Sequence, residues 1–300
     1  VSTYSIKDLE QLSGIKAHTL RIWEQRYNLL HPKRTETNIR YYDDDAVKHL
    51  LNVALLNENG QKISRIAAMA PEDIKKEVLK LTENSVALDD QIHAMTFSLI
   101  DMDEEGFEKN LTSSIRKLGF ERTMIQVIHP FMKKIGVLWQ TGAITPGQEH
   151  FISNLVRQKL IVAIDALGWV DDGKKFMLFL PEGELHEISL LFSHYLIKAN
   201  GHRVIYLGQS TPATDLQAVH KLHDPDYMLT VLTSYPTADE AQEYIDRLSA
   251  QFPTTQILIS GYQVIDRNLS FPTNVTLMNN FEDFTKILTS IREASNGLSN

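Results

Sequence analysis

Glu184-Leu-His186 places a carboxylate two residues before a histidine, a metal-ligand arrangement. The carboxylate can orient the ring through one nitrogen while the other ligates. No second His or Cys stands nearby at zinc spacing. His220 and His223, at i,i+3, read as a solvated helix face. A second grouping is Trp139 followed after nine residues by Glu149-His150, which a turn at 141–145 can bring to one end of a helical bundle. The bland alternative makes Trp139 a core aromatic and Glu149 an acidic residue that favours a helix N-terminus. A third grouping is basic: Lys16, His18, Thr19, Arg21 and Arg26, then Arg34, Arg40 and Tyr42. Such residues bind a phosphate backbone and position a protein on DNA.

The elements that must carry these groups follow from periodicity. Ser5 is an N-cap for a helix from Tyr4 to Leu12, with Ile6, Leu9 and Leu12 on one face. Ser13-Gly14 turns into a second helix, Lys16 to Tyr27, whose Leu20, Trp23 and Tyr27 face inward. Two short helices around a glycine turn form a helix-turn-helix. Pro32 and the polar stretch 33–38, closed by Ile39–Tyr42, read as a basic hairpin, a wing whose Arg34, Arg40 and Tyr42 would lie along phosphates. Helices over 45–57 and 63–69 follow, and the polar stretch 71–86 reads as a helix followed by a linker.

From Leu88 to Leu167 four apolar-striped helices suggest a bundle. Pro130 bends the third or sits at its start. Thr145-Pro146-Gly147-Gln148 caps the fourth. Beyond it, strands at 175–180, 204–207, 227–232, 256–259 and 274–277 alternate with helices. That alternation implies a doubly wound parallel sheet, with ligands at the carboxyl ends of its strands. Four loops leave those ends: Glu184–Ser189, Gly208–Thr211, Thr233–Tyr235 and Ser260–Tyr262. The fold class expected is multidomain α and α/β. A winged helix-turn-helix fills 1–75, a four-helix bundle 86–168 and a Rossmann-like, flavodoxin-like domain 173–300.

Composition agrees with a DNA-facing end on an acidic body. Residues 1–70 hold ten Lys/Arg against eight Asp/Glu, a net +2, which leaves −10 on the rest of a chain of net charge −8. Cysteine is absent, which removes thiolate sensing. No run approaches the ~18 apolar residues of a membrane span and no signal segment opens the sequence, so a cytoplasmic protein without a membrane partner is expected. No nucleophile–base pair stands at a recognised spacing, so no enzyme activity is expected.

The run "TLRIWEQRYNLLHPKRTETNIRYY" followed by "LNENGQKISRIAAM" resembles the MerR family of DNA-binding regulators. Glu184-x-His186-x-x-Ser189, with Ser234 and Gly261 downstream, resembles a cobalamin-binding signature. A corrinoid cobalt needs a single protein ligand from below, because the macrocycle supplies four nitrogens. Together with the bundle and Trp-x9-Glu-His, the chain resembles light-sensing, adenosylcobalamin-dependent repressors of carotenoid genes. The resemblance implies His186 as lower axial cobalt ligand and Glu184 as its orienting partner. It implies Trp139, Glu149 and His150 over the adenosyl group, and Ser234 and Gly261 admitting the nucleotide tail. Adenosylcobalamin is the cofactor implied, double-stranded operator DNA the partner, and a homodimer or homotetramer the assembly.

Three positions depart from the family pattern. Ser189 stands where Gly is expected, Tyr262 where a second Gly is expected, and Gln140 where the light sensors have a His. They favour an alternative in which the body senses another small molecule or a partner protein. A corrinoid methyl-transfer module is a further alternative, against which the fused DNA domain argues.

Overall fold

The computed structural model describes residues 4–34, 38, 40–84, 88–140, 144–171, 173–237 and 239–297. It divides into two compact units, Val1–Leu155 and Val156–Asn300.

The first unit opens with α1 (Ile6–Ser13) and α2 (Ala17–Tyr27). Ser5 caps α1 as expected. Its Oγ accepts from Asp8 N at 3.3 Å, while Asp8 Oδ2 accepts from Ser5 N at 2.6 Å. Gly14 ends α1 in the left-handed region at φ 74°, a conformation glycine adopts without cost. Leu9, Leu12, Leu20 and Trp23 are buried together with Leu30 and Leu50. Tyr27, expected inside, is half-buried with the Arg26 guanidinium 5.5 Å above its ring. The wing is present as β1 (Lys33–Arg34) paired antiparallel with β2 (Arg40–Tyr41). Its expected tip, 35–37 with 39, lies outside the described residues. Tyr4 and Tyr42 exchange backbone hydrogen bonds of 2.8 and 2.9 Å. Tyr4 therefore belongs to this bridge rather than to α1.

α3 (Asp44–Glu58), capped by Asp43, α4 (Ile63–Ile66) and α5 (Pro71–Asn84) follow. The bundle begins with α6 (Leu88–Asp101) and α7 (Glu104–Leu118). A continuous helical run then comprises α8 (Phe120–Thr123), a π-helical segment (Met124–Ile128) and α9 (His129–Gln140). The widened turn has a cause. Pro130 lacks an N–H and would clash with a carbonyl one turn back, and the π segment opens the helix just before it. Met95, Leu99, Phe107, Val127, Phe131 and Ile135 form the core here. α10 (Pro146–Ala166) runs across the boundary between the units. Thr145 and Gln148 cap it reciprocally, at 3.0 and 3.3 Å.

The second unit alternates β3 (Lys175–Pro181), α11 (Ile188–Ala199), β4 (Arg203–Thr211), α12 (Ala213–His223), β5 (Tyr227–Val231), α13 (Ala241–Gln251), β6 (Gln256–Ser260), β7 (Val275–Leu277) and α14 (Phe281–Gly297). The five strands are all parallel, in the order β4-β3-β5-β6-β7. Met177 and Phe179 pack with Leu216 of α12 and Ile245 of α13, so by strand alternation Phe176 and Leu178 serve the opposite face. The chain winds outward in opposite directions from β3 and β5. The switch point between them is where such sheets bind ligands, and Glu184 and Ser234 leave those two strands.

β4 is longer than expected. Gly208–Thr211 continues as strand beside β3, with Phe179 opposite Gly208 and Pro181 opposite Thr211 across register shifts. His220 departs from its solvated reading: its Nε2 lies 2.7 Å from Thr255 Oγ1 and its ring packs 4.6 Å from Phe252.

Candidate cofactor and nucleic-acid sites

At the switch point, the Glu184 side chain is fully buried. Its Oε2 accepts from the backbone N–H groups of Thr233 (3.0 Å), Ser234 (2.6 Å) and Tyr235 (2.9 Å). Its Oε1 accepts from Leu185 N and His186 N, both at 2.9 Å, and from His186 Nδ1 at 2.6 Å. Burial alone would raise the carboxyl pKa. The His186 bond and the ring of backbone donors outweigh it and bring the value down to about 2. Glu184 is therefore ionised and can only accept hydrogen bonds. It follows that His186 Nδ1–H donates to Glu184, which leaves Nε2 to carry the lone pair whenever the ring is neutral. That tautomer is the one a metal takes from an exposed imidazole, and the His186 side chain is 61% exposed.

The neighbouring loops grip this one. Ser234 Oγ lies 3.1 Å from His186 Nδ1 and 3.3 Å from each Glu184 oxygen. Ser210 N donates to Glu184 O at 3.1 Å, and Gln209 Nε2 to Leu185 O at 2.6 Å. Gly261, expected beside the nucleotide tail, is constrained by its own loop. It sits at φ 115°, and a Cβ there would collide with the Leu232 backbone, so its glycine is required by the close approach of the β6 loop to the end of β5. Ser189 is an ordinary helical residue in the first turn of α11, its carbonyl accepting from Ser193 Oγ at 2.9 Å. Tyr262 points outward, 72% exposed, with Arg267 5.7 Å above its ring.

In the first unit Trp139 is 52% exposed at the end of α9, which rules out the core reading. Glu149 and His150 pair with each other, Oε2 to Nδ1 at 2.8 Å, in the first turn of α10. The side chain of Gln140 lies outside the described residues. Among the described residues no cluster of three His, Cys, Asp or Glu is arranged to hold a metal ion. His186 is thus a single-ligand candidate.

On the DNA side, His18, Arg21 and Arg26 of α2 are exposed, Thr19 is half-exposed beside His18 (3.3 Å), and Lys16 is exposed but reaches Glu10 at 3.0 Å. Arg34 is exposed and donates to Asn38 Oδ1 at 2.7 Å, while Arg40 leans toward Glu24 at 3.7 Å. Tyr42 corrects the expectation of a phosphate contact. It is fully buried, its hydroxyl donates to Glu24 Oε2 at 3.0 Å, and its backbone pairs with Tyr4. Two features escaped the sequence reading. Ile22 is exposed on α2 between its basic residues, where an apolar side chain suits a thymine methyl. Its signal was its place off the Leu20–Trp23 stripe. Glu187, next to His186, had no motif to mark it.

The fold and these residues define a class: a helix-turn-helix with a two-stranded wing, a helical bundle, and a parallel α/β unit with a carboxylate–histidine pair at its switch point. Residues 4–73 match the MerR HTH family regulatory protein model, and residues 91–163 match the B12 binding domain model. The chain carries a MerR helix-turn-helix and a B12-binding domain, and it is homologous to two repressors of Myxococcus xanthus. It is 27% identical to the HTH-type transcriptional repressor CarH over 84% of this chain and 86% of that one. It is 27% identical to the HTH-type transcriptional repressor CarA over 98% and 99%. The monomethylamine corrinoid protein of Methanosarcina barkeri shares the fold, at 15% identity, TM-score 0.52, covering 72% of this chain and 99% of that one. No helix among the described residues is long and apolar enough to cross a membrane.

Proposed function

We propose that this chain is a cytoplasmic transcription repressor whose grip on operator DNA, or whose self-association into a dimer or tetramer, is controlled by bound B12. The observation that carries the reading is the fully buried Glu184 carboxylate bound to His186 Nδ1 at 2.6 Å, which leaves Nε2 as the ring nitrogen that can ligate. This donor set fits a corrinoid, which needs one neutral nitrogen from below.

Residue roles follow the same proposal. His186 would hold the cobalt through Nε2, with Glu184 and Ser234 fixing its ring and Gly261 shaping the loop beside it. Ser189 contributes from the first turn of α11. Trp139, Glu149 and His150 would contact the adenosyl group, and the exposed Trp139 ring is suited to a planar nucleoside. Lys16, His18, Thr19, Arg21, Arg26, Arg34 and Arg40 face DNA. The domain limits proposed are 1–75, 86–168 and 173–300. Adenosylcobalamin, when bound, supplies a light-sensitive cobalt–carbon bond, which makes the protein a photoreceptor in this reading.

The test is an absorption spectrum of the whole chain after addition of adenosylcobalamin in the dark and removal of excess. Wild type retains the corrinoid with a nitrogen below cobalt, and His186→Ala loses that spectral form. Wild-type protein that retains no corrinoid would overturn the reading and leave the body as a sensor of something else.

A further inference from the structure

Glu187 follows His186 directly and occupies the N-cap position of α11. A carboxylate there ordinarily folds back onto the first N–H groups of its own helix. This one makes no such bond. Its two oxygens go to two other elements. Arg157 Nε of α10 stands 2.9 Å from Oε1, and the Tyr206 hydroxyl of β4 donates to Oε2 at 3.1 Å. The Glu187 side chain is 14% exposed and that of Arg157 35%, so the pair is partly shielded from solvent. Burial first, and the Glu187 charge second, push the Tyr206 hydroxyl far above its usual range, which keeps it a donor. The Tyr206 ring is itself fixed by stacking on His194 of α11, 5.2 Å between centroids at 21°.

The histidine loop is thus fastened at two points. Glu184 ties it to the loop after β5 and sets the tautomer. Glu187 ties the point where the loop becomes helix to α10 and β4. A ring with the right tautomer still ligates poorly if its backbone drifts, because a metal–nitrogen bond tolerates little error in distance.

We propose that Glu187 is a positioning residue for His186: by bridging Arg157 and Tyr206 it fixes the backbone from which the ring reaches a corrinoid cobalt. The inference rests on the B12 reading above.

It is tested on the full chain with Glu187→Gln, Arg157→Gln, their combination, and Tyr206→Phe. The combination tests whether the two act as a pair. Two readouts are taken: the spectrum and affinity of added adenosylcobalamin, and amide hydrogen exchange at Leu185 and His186 without cofactor. Glu187→Gln weakens corrinoid binding about tenfold, the loss of a partly shielded ion pair and of the charge on the group that accepts from Tyr206. It also shifts the spectrum toward the form without a protein nitrogen and speeds the His186 amide. The double variant is no worse than the poorer single one. Tyr206→Phe, which deletes one oxygen, moves the same readouts in the same direction by about threefold, and it carries the test if Glu187→Gln fails to fold. Wild-type spectra and exchange in these variants would overturn the positioning role while leaving B12 binding intact. Wild-type protein that takes up no corrinoid would overturn both.

Discussion

Replacing Glu184 by Gln keeps the size of the side chain and removes its charge. In the native protein the carboxylate accepts five backbone N–H bonds and the His186 Nδ1–H. An amide offers one acceptor and turns a donor toward N–H groups that need an acceptor. The carboxyl pKa falls from 4.5 to about 2 in the folded state. A depressed folded pKa means that the stabilisation is fully present above 4.5 and is lost as pH falls toward 2. A difference of about 2.5 in pKa corresponds to about 3 kcal/mol at pH 7, of which about 2 kcal/mol disappears between pH 5 and pH 3. Urea unfolding followed by circular dichroism, with wild type and Glu184→Gln compared at several pH values, reads this directly. The variant is less stable by about 3 kcal/mol at neutral pH, and the gap narrows in acid. A gap under about 1 kcal/mol at pH 7, or one that does not change with pH, would refute the claim that an ionised Glu184 holds the loop together.

Gly261→Ala forces a Cβ against the Leu232 backbone at φ 115° and costs about 2 kcal/mol or more in urea unfolding; wild-type stability would show that the loop can move aside. Tyr42→Phe removes a buried hydroxyl from Glu24, lowering stability by about 1–2 kcal/mol while leaving the salt dependence of DNA binding unchanged. Arg34→Ala, by contrast, reduces the slope of log affinity against log salt by about 0.9, and an unchanged slope would remove Arg34 from the phosphate contacts. His93, buried against Glu58 of α3 at 3.3 Å, has its pKa lowered to about 4 by burial, so its contribution is full above 6.5 and falls in acid toward 4; His93→Gln flattens that part of the stability profile.

Much of the architecture was legible because burial on both faces makes parallel strands read as apolar runs, as in Phe176–Leu180 and Ile257–Ile259. The Ser5 and Thr145 caps were legible because a cap is a local pattern of side chains and backbone donors. Glu184 and His186 were legible as a pair through their spacing. What the spacing could not show was the set of backbone donors from Thr233, Ser234 and Tyr235, which arrive from the loop after β5, about fifty residues away. Gly208–Thr211 read as a loop from its composition, yet pairing with β3 holds it in strand. Tyr42 left its expected place along the phosphates, and Trp139 left its core alternative, for a related reason. An aromatic residue looks the same whether its hydroxyl finds Glu24 inside the fold or its ring ends a helix in solvent. Glu187 was invisible because its partners, Arg157 and Tyr206, lie on separate elements.

The central claim is that corrinoid held by His186 governs DNA binding. The most direct measurement takes a duplex selected by the protein from a random pool and determines its affinity for the full chain, with and without adenosylcobalamin in the dark and after illumination. The account predicts that the cofactor changes the affinity of wild type, that illumination changes it again, and that His186→Ala responds to neither. Equal wild-type affinity with and without adenosylcobalamin would contradict it.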